Sequence, residues 1–231
     1  MAADAVPPAL AAALRAHLDA ALDGGMRTEA LAHAGQVAAV ASALWRAFAS
    51  VGLECVLVGG SAIEVHAPGV YVTGDVDVVL DGFGRVGVRD TADAVFTALG
   101  FAKAGRHWAR GDLFVEVPST ALDDPAEWVR AGGQPFRVVR KEVLVRDRVV
   151  GFLHWGQPAY GQQAVDLLAA FDPAELDDTW LRTALRREGA ESAYDALRTL
   201  ASSPGVAVDV AALERLLLDL RGRGPAGAGP A

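Results

Sequence analysis

The stretch Cys55–Leu80, CVLVGGSAIEVHAPGVYVTGDVDVVL, decides which fold this chain of 231 residues adopts. Its opening run, Cys55–Val58, is apolar and rich in β-branched residues, which predicts a buried strand. The glycine pair Gly59-Gly60 ends that run, and a short helix is predicted from Ser61. The stretch therefore begins as a strand, a tight turn and a helix.

A second strand is predicted at the end of the same stretch, where acids alternate with valines. At the two-residue period of a strand, Asp75 and Asp77 share one face while Val76 and Val78 share the other. The two carboxylates lie about 7 Å apart along the strand, where like charges repel each other. A divalent metal ion bound between them would remove that repulsion, so the pair is a candidate metal site.

The Gly-Gly-Ser turn is a candidate phosphate site. Gly59 and Gly60 let the backbone approach a ligand closely, and the amides at the start of the next helix, with the Ser61 hydroxyl, could hold phosphate oxygens. By itself the turn is also typical of an ordinary strand-to-helix connection, and Asp-x-Asp is also typical of an exposed strand end. The stretch lacks the Gly-x-Gly-x-x-Gly of dinucleotide-binding folds and the Gly-Lys-Ser/Thr of a Walker phosphate loop.

In this order and separation, Gly59-Gly60-Ser61 followed by Asp75 and Asp77 resembles the nucleotidyltransferase superfamily that includes DNA polymerase beta. The form VGGSAIEVH with TGDVDVVL looks most like the small bacterial nucleotidyltransferases related to AbiEii-type toxins. The resemblance implies an α+β nucleotidyltransferase fold. We expect a mixed β-sheet flanked by helices, with N-terminal helices and a C-terminal helical region.

Two features depart from the family pattern. Antitoxin-linked relatives often have a shorter spacing to Asp-x-Asp and an arginine soon after the serine, where this chain has Ala62, Ile63 and Glu64. AbiEii-like toxins carry a lysine and an aspartate in the helical half, and no lysine follows Lys141 here. A toxin–antitoxin setting is therefore an expectation, and toxicity is not carried over.

The resemblance also implies a third carboxylate on a strand beside the Asp-x-Asp strand, and Glu116 in DLFVEVP is the match. Asp75, Asp77 and Glu116 would then be the catalytic acids and the ligands of two Mg2+ ions. The alternative is that Glu116 is an edge-strand acid facing water. Arg106 is a candidate phosphate ligand, and Trp108 is a candidate for either base stacking or core packing.

The implied activity is magnesium-dependent transfer of a nucleoside monophosphate from a nucleoside triphosphate to a hydroxyl acceptor. A protein, a tRNA or other RNA end, and a small molecule are the acceptor classes considered, and a cognate partner protein is expected in a toxin–antitoxin setting. A non-catalytic nucleotide-binding module of the same fold and a purely structural interaction protein are the alternatives.

The composition of the chain limits the classes of partner that we expect it to bind. The net charge of −8 argues against a broad nucleic-acid surface and slightly favours a small cationic or protein acceptor. The single cysteine, Cys55, excludes an internal disulfide and a cysteine-based metal site. No apolar run is long enough for a membrane span and no signal peptide is evident, so we expect a cytoplasmic protein with no membrane partner.

The chain is predicted to divide into four segments: N-terminal helices over 1–50, a catalytic core over 51–154, a helical region over 155–220 and a disordered tail over 221–231. Further local predictions are surface positions for His17 and His33, a helix capped by Asp90, a helical turn over Asp124–Trp128, and strands over Phe136–Val145 and Asp147–Leu153.

Overall fold

The computed structural model of the chain describes residues 5–82, 86–203 and 208–222. The chain forms two compact units that divide between Arg140 and Lys141. Most of the predicted tail lies outside the described residues. Its first two positions, Arg221 and Gly222, are helical and end the last helix of the chain.

Seven strands in the described part of the first unit form one mixed sheet. They are β1 (Glu54–Leu57), β2 (Asp75–Asp81), β3 (Ala102–Ala104), β4 (His107–Arg110), β5 (Leu113–Glu116), β6 (Ala126–Ala131) and β7 (Gln134–Val139). Their order across the sheet is β3-β4-β5-β2-β1-β7-β6. β2 runs antiparallel to β1 and parallel to β5, while β1 runs parallel to β7. The predicted mixed sheet is confirmed.

Helices precede, interrupt and follow this sheet in the sequence. The first unit contains α1 (Pro8–Ala21), α2 (Ala30–Ala49), α3 (Gly59–His66) and α4 (Val88–Ala98). The second contains α5 (Lys141–Val150), a π-helical turn (Gly151–Trp155), α6 (Pro158–Ala170), a 3-10 turn (Pro173–Glu175), α7 (Asp178–Arg187), α8 (Glu191–Ala201) and α9 (Val210–Gly222). The predicted α+β class, with N-terminal helices and a C-terminal helical region, is confirmed.

An aromatic cluster joins helices to the sheet in the first unit. Phe48 of α2 meets Phe96 of α4 edge-on, and Phe96 stacks on Trp108 of β4 at 4.4 Å between ring centroids. Trp108 is 7% exposed, and its indole N–H donates to Asp93 at 2.9 Å. Trp108 therefore packs in the core, which was one of its two predicted roles.

The strands predicted over Phe136–Val145 and Asp147–Leu153 are wrong from the end of β7 onward, because α5 and the π-helical turn follow. Val145, Val149 and Phe152 are all buried, and their spacings of four and three residues are those of one helical face. The β-branched content of this run suggested a strand, but burial along a helical face outweighs that intrinsic preference.

The helical turn predicted over Asp124–Trp128 is also wrong, because β6 begins at Ala126. β6 pairs with β7 through a two-residue turn at Gly132 and Gly133, whose φ angles are +54° and +78°. Two adjacent left-handed residues suit the right-handed twist of a hairpin, and glycine adopts that conformation without a steric penalty.

The helix predicted to be capped by Asp90 begins earlier than expected. Gly87, with φ +82°, is the N-cap of α4, and Asp90 lies in its first turn. A carboxylate in the first turn interacts favourably with the positive end of the helix dipole. Asp90 therefore supports the start of α4 without capping it.

Candidate metal and nucleotide site

The predicted glycine turn is the start of α3, which begins at Gly59 and not at Ser61 as expected, and Gly59 lies directly against the second acid of the Asp-x-Asp pair. Gly59 has φ +62°, and a Cβ atom at this position would lie 2.5 Å from Asp77 Oδ2. A Cβ atom on Gly60 would lie 2.6 Å from a ring carbon of Tyr71. Both contacts are too short for a methyl group, so glycine permits the close approach to Asp77 at position 59 and to Tyr71 at position 60.

Ser61 connects the same turn to β2. Its hydroxyl donates to the Val58 carbonyl at 3.0 Å and accepts the Asp77 backbone N–H at 3.1 Å. Ser61 is fully buried. The hydroxyl was predicted to bind phosphate, and the structure shows it engaged in backbone hydrogen bonds that hold the turn against the Asp-x-Asp strand.

Strand register brings the third predicted acid to the Asp-x-Asp pair. In the parallel pairing of β2 with β5, Asp75 lies opposite Phe114 and Asp77 lies opposite Glu116. Leu113 and Val115 are buried while Phe114 is 40% exposed, so β5 alternates as the sequence predicts. Asp77 and Glu116 are therefore direct partners on neighbouring strands, and Asp75 lies two residues before Asp77 on the same strand.

A cluster of three possible metal ligands forms here, and one of them was not predicted. Asp75, His107 and Glu116 each offer a ligand atom, and these atoms all lie within 4.8 Å of one another. His107 Nε2 is 3.3 Å from Glu116 Oε2 and 3.9 Å from Asp75 Oδ2. The three side chains are between 19% and 32% exposed, so the cluster is partly open to a ligand. We call these three residues the acid–imidazole cluster.

Arg106 also reaches this cluster. Its Nε lies 3.5 Å from Glu116 Oε1, and its side chain is 75% exposed. An exposed guanidinium beside a carboxylate is weakly held, so it can exchange that partner for a phosphate at little cost. The structure thus brings the predicted phosphate ligand to the predicted acids.

One solved structure that resembles this chain is the crystal structure of an antigenic nucleotidyltransferase-like protein from Paracoccidioides brasiliensis. The match covers 69% of this chain and 92% of that one, with 17% sequence identity and a TM-score of 0.47. No protein-family model matches the chain, and no curated protein matches its sequence. We therefore interpret the site from its own residues.

The donor set of the acid–imidazole cluster fits a divalent metal ion. Two carboxylate oxygens and one imidazole nitrogen are common ligands for such ions. The nearest ligand atoms, 3.3 Å apart, are spaced like neighbouring donors around an ion with bonds of about 2.1 Å. Asp77 lies beside the cluster, at the glycine turn, and is a further candidate ligand.

A network of polar contacts connects Asp75 to buried side chains of α2 and α3. The Thr73 hydroxyl donates to Asp75 Oδ1 at 2.8 Å, and the Thr73 backbone N–H donates to Glu64 Oε1 at 2.6 Å. Glu64 Oε2 lies 3.0 Å from His33 Nε2, and the His33 ring contacts the Arg27 carbonyl at 2.7 Å through Nδ1. The network thus extends from α2 and α3 to the start of β2.

The surface position predicted for His33 is wrong. His33 is 4% exposed and Glu64 is 1% exposed, and the two side chains are in ion-pair contact inside the first unit. Burial raises the pKa of Glu64, although the Thr73 N–H and His33 act in the opposite direction. The sequence spacing of α2 and α3 contains no signal for this pairing, which depends on how the two helices pack.

A cavity of about 450 Å³ borders Asp75 on the side of the α1–α2 connection. Arg27, His33, Thr73 and Asp112 also line it. Its volume is within the range of sites that hold small molecules. Space for a small ligand therefore exists next to the first acid of the Asp-x-Asp pair.

Every helix among residues 5–82, 86–203 and 208–222 is too short or too polar to cross a membrane.

Proposed function

We propose that this chain is a metal-dependent nucleotidyltransferase that moves a nucleoside monophosphate from a nucleoside triphosphate to a hydroxyl acceptor. The observation that carries the proposal is the close approach of Gly59 to Asp77, with Glu116 opposite Asp77 on the neighbouring strand and Asp75 two residues before Asp77. A glycine turn that can approach phosphate oxygens thus lies beside acids that can hold a metal ion. This pairing supports nucleotide chemistry more specifically than either element alone.

The reaction requires one bond to form and one to break at the α-phosphorus. The acceptor oxygen attacks that phosphorus, the bond to the bridging oxygen of the β-phosphate breaks, and pyrophosphate leaves. Glu116 is the proposed acceptor of the hydroxyl proton. Asp75, Asp77 and Glu116 would hold two Mg2+ ions, which supply charge neutralisation and orientation when bound.

The remaining residues bind and orient the triphosphate. The backbone amides at Gly59 and Gly60, at the start of α3, would donate to phosphate oxygens, where the helix dipole also favours negative charge. Arg106 would leave Glu116 and pair with a phosphate. Ser61 would act indirectly, because its hydroxyl holds the turn in place.

A second candidate function is a nucleotide-binding module without transfer activity that acts through a protein partner. The engagement of the Ser61 hydroxyl by backbone groups favours this candidate, since it removes one phosphate ligand from the turn. A toxin–antitoxin setting, a cognate partner and a cytoplasmic location rest on the sequence resemblance and composition. The acceptor class is a protein, an RNA end such as tRNA, or a small cationic molecule.

The direct test is transfer of label from each α-labelled nucleoside triphosphate to the protein itself, to bulk tRNA and to small cationic acceptors. The Asp75→Asn/Asp77→Asn double variant removes two charges from the site, and Asp195→Asn is the matched control on α8. Transfer by the wild type and the control, and its loss in the double variant, would support the enzyme. Nucleotide binding detected by calorimetry without any transfer would support the binding module. The absence of both transfer and nucleotide binding would contradict both candidates.

A further inference from the structure

We infer that the acid–imidazole cluster binds a first-row transition-metal ion such as Mn2+ in preference to Mg2+, because His107 supplies a nitrogen ligand. The inference rests on the proposed function for the site but concerns which ion the site selects. Magnesium was the ion expected from an all-carboxylate set, Asp75, Asp77 and Glu116. The structure instead groups Asp75 and Glu116 with an imidazole.

The position of His107 follows from the hairpin that carries it. β4 and β5 pair antiparallel, with His107 opposite Glu116 and Arg110 opposite Leu113. Residues directly opposite each other in an antiparallel pair project from the same face of the sheet. The imidazole is therefore presented beside the Glu116 carboxylate by the backbone itself, and does not depend on a flexible loop.

Packing also orients the ring. His107 meets Phe114 edge-on, with ring centroids 6.2 Å apart and an interplanar angle of 79°. Phe114 is also the strand partner of Asp75, so the same side chain neighbours both the imidazole and the first acid. His107 Nε2 lies within 4 Å of one carboxylate oxygen of Asp75 and one of Glu116.

The chemistry of the donor atoms sets the preference. Mg2+ is a hard ion that takes oxygen ligands at about 2.0–2.1 Å and retains several waters. Imidazole nitrogen favours transition-metal ions, and Mn2+ also accepts carboxylate and phosphate oxygens. A site with two carboxylates and one imidazole therefore gains affinity for Mn2+ from a ligand that contributes little to Mg2+.

The test compares Mn2+ and Mg2+ binding to the full chain by calorimetry, in the wild type and in His107→Gln. Glutamine keeps a similar length but offers an amide oxygen, which converts the set to oxygen ligands only. We expect Mn2+ affinity to fall about 10-fold or more in His107→Gln while Mg2+ affinity changes little. His154→Gln, a histidine substitution in the second unit, should change neither.

A spectroscopic measurement makes the test independent of catalysis. Pulsed electron paramagnetic resonance of bound Mn2+ should show coupling to a histidine nitrogen that shifts with 15N-histidine labelling and disappears in His107→Gln. Equal Mn2+ and Mg2+ affinities in the wild type, without nitrogen coupling, would overturn the inference and identify His107 as a hydrogen-bond partner of Glu116 alone. Label transfer with Mg2+ would still support the enzyme in that case, whereas nitrogen coupling without transfer would contradict the proposed activity and leave the metal inference standing.

Discussion

Two groups of carboxylates in this chain differ in what surrounds them. On α7 and α8, Arg182 contacts Asp178, Glu191 and Asp195 at 2.9, 3.4 and 2.9 Å. Arg186 and Arg198 add further pairs, so three acids there face three arginines. In the acid–imidazole cluster, by contrast, the basic groups found among the described residues are one exposed guanidinium, which contacts Glu116, and one imidazole, which lies near both Asp75 and Glu116.

The difference separates a structural cluster from a ligand site. Burial alone would raise the pKa of Asp178, but hydrogen bonds from Tyr194 and Arg182 hold it below its ordinary value. Such an acid is already satisfied and has little to gain from a metal. Asp75 and Glu116 are less fully neutralised, so a cation in solution can supply what the protein leaves out.

Replacing Asp75 should give the largest effect. Asp75→Asn keeps the acceptor for the Thr73 hydroxyl but removes a charged metal ligand, so we expect transfer activity to fall about 1,000-fold. The free energy of unfolding should stay within about 0.5 kcal/mol of the wild type, since the substitution removes the repulsion between the Asp75 and Asp77 carboxylates. Label transfer and urea denaturation measure the two quantities. Equal activity in Asp75→Asn would erase the distinction between the two carboxylate groups.

The next effect concerns the turn that approaches Asp77. Gly59→Ala places a methyl group 2.5 Å from Asp77 Oδ2 in a left-handed backbone conformation. Gly111→Ala has the same φ of +62° but meets no atom within 4 Å apart from its chain neighbours. We expect the free energy of unfolding, measured by urea denaturation, to fall by about 1 kcal/mol for Gly111→Ala and by about 3 kcal/mol for Gly59→Ala. Equal losses in the two variants would show that the turn has room to move away from Asp77.

A smaller effect is expected from the residue that supports Asp75. Thr73→Val removes the hydroxyl bonded to Asp75 Oδ1 but keeps the backbone N–H that Glu64 accepts. We expect divalent-metal affinity to fall about 10-fold, because a hydrogen bond to a metal-binding carboxylate holds it in the orientation that the metal needs. Thr73→Ser retains the hydroxyl and should restore the affinity. A similar loss in both variants, measured by calorimetry, would point to packing and not to the hydrogen bond.

Much of the fold could be predicted because local patterns and packing agree in the first unit. The first strand lies one residue before the predicted run, as β1 (Glu54–Leu57), and the helix begins at Gly59, two residues before the predicted Ser61. The alternation of β2 and β5 appears as the sequence places it. The prediction failed over α5, where Val145 and Val149 pack on a helical face. Their β-branched side chains carry a strand preference that only the surrounding tertiary structure overrides.

The acid–imidazole cluster was harder to predict because it depends on register between strands. The two-residue turn at Gly111 and Asp112 places Arg110 opposite Leu113, and counting back along both strands places His107 opposite Glu116. That count was available in the sequence once the turn had been assigned. The burial of His33 against Glu64 was not, since it depends on the packing of α2 on α3.

The smallest effect is expected in the cluster of α7 and α8. Because Asp178 has a lowered pKa, its contribution to stability is present above its ordinary value near 3.8 and is lost as the pH falls through the lower pKa of the folded state. The side chain is 44% exposed, so solvent screening limits the contribution to about 1 kcal/mol at most. Asp178→Asn should lower the free energy of unfolding at pH 7 by this amount and leave label transfer unchanged.

The pH dependence makes this last prediction specific to charge. The difference in unfolding free energy between the wild type and Asp178→Asn should shrink as the pH is lowered below 3.8, because the wild-type carboxylate then becomes neutral as well. Tyr194→Phe, which removes the hydroxyl that donates to Asp178 at 2.9 Å, is the control for the uncharged part of the contact. A difference that persists at low pH would assign the effect to hydrogen bonding and packing, and the arginines of this cluster would then contribute less than their geometry indicates.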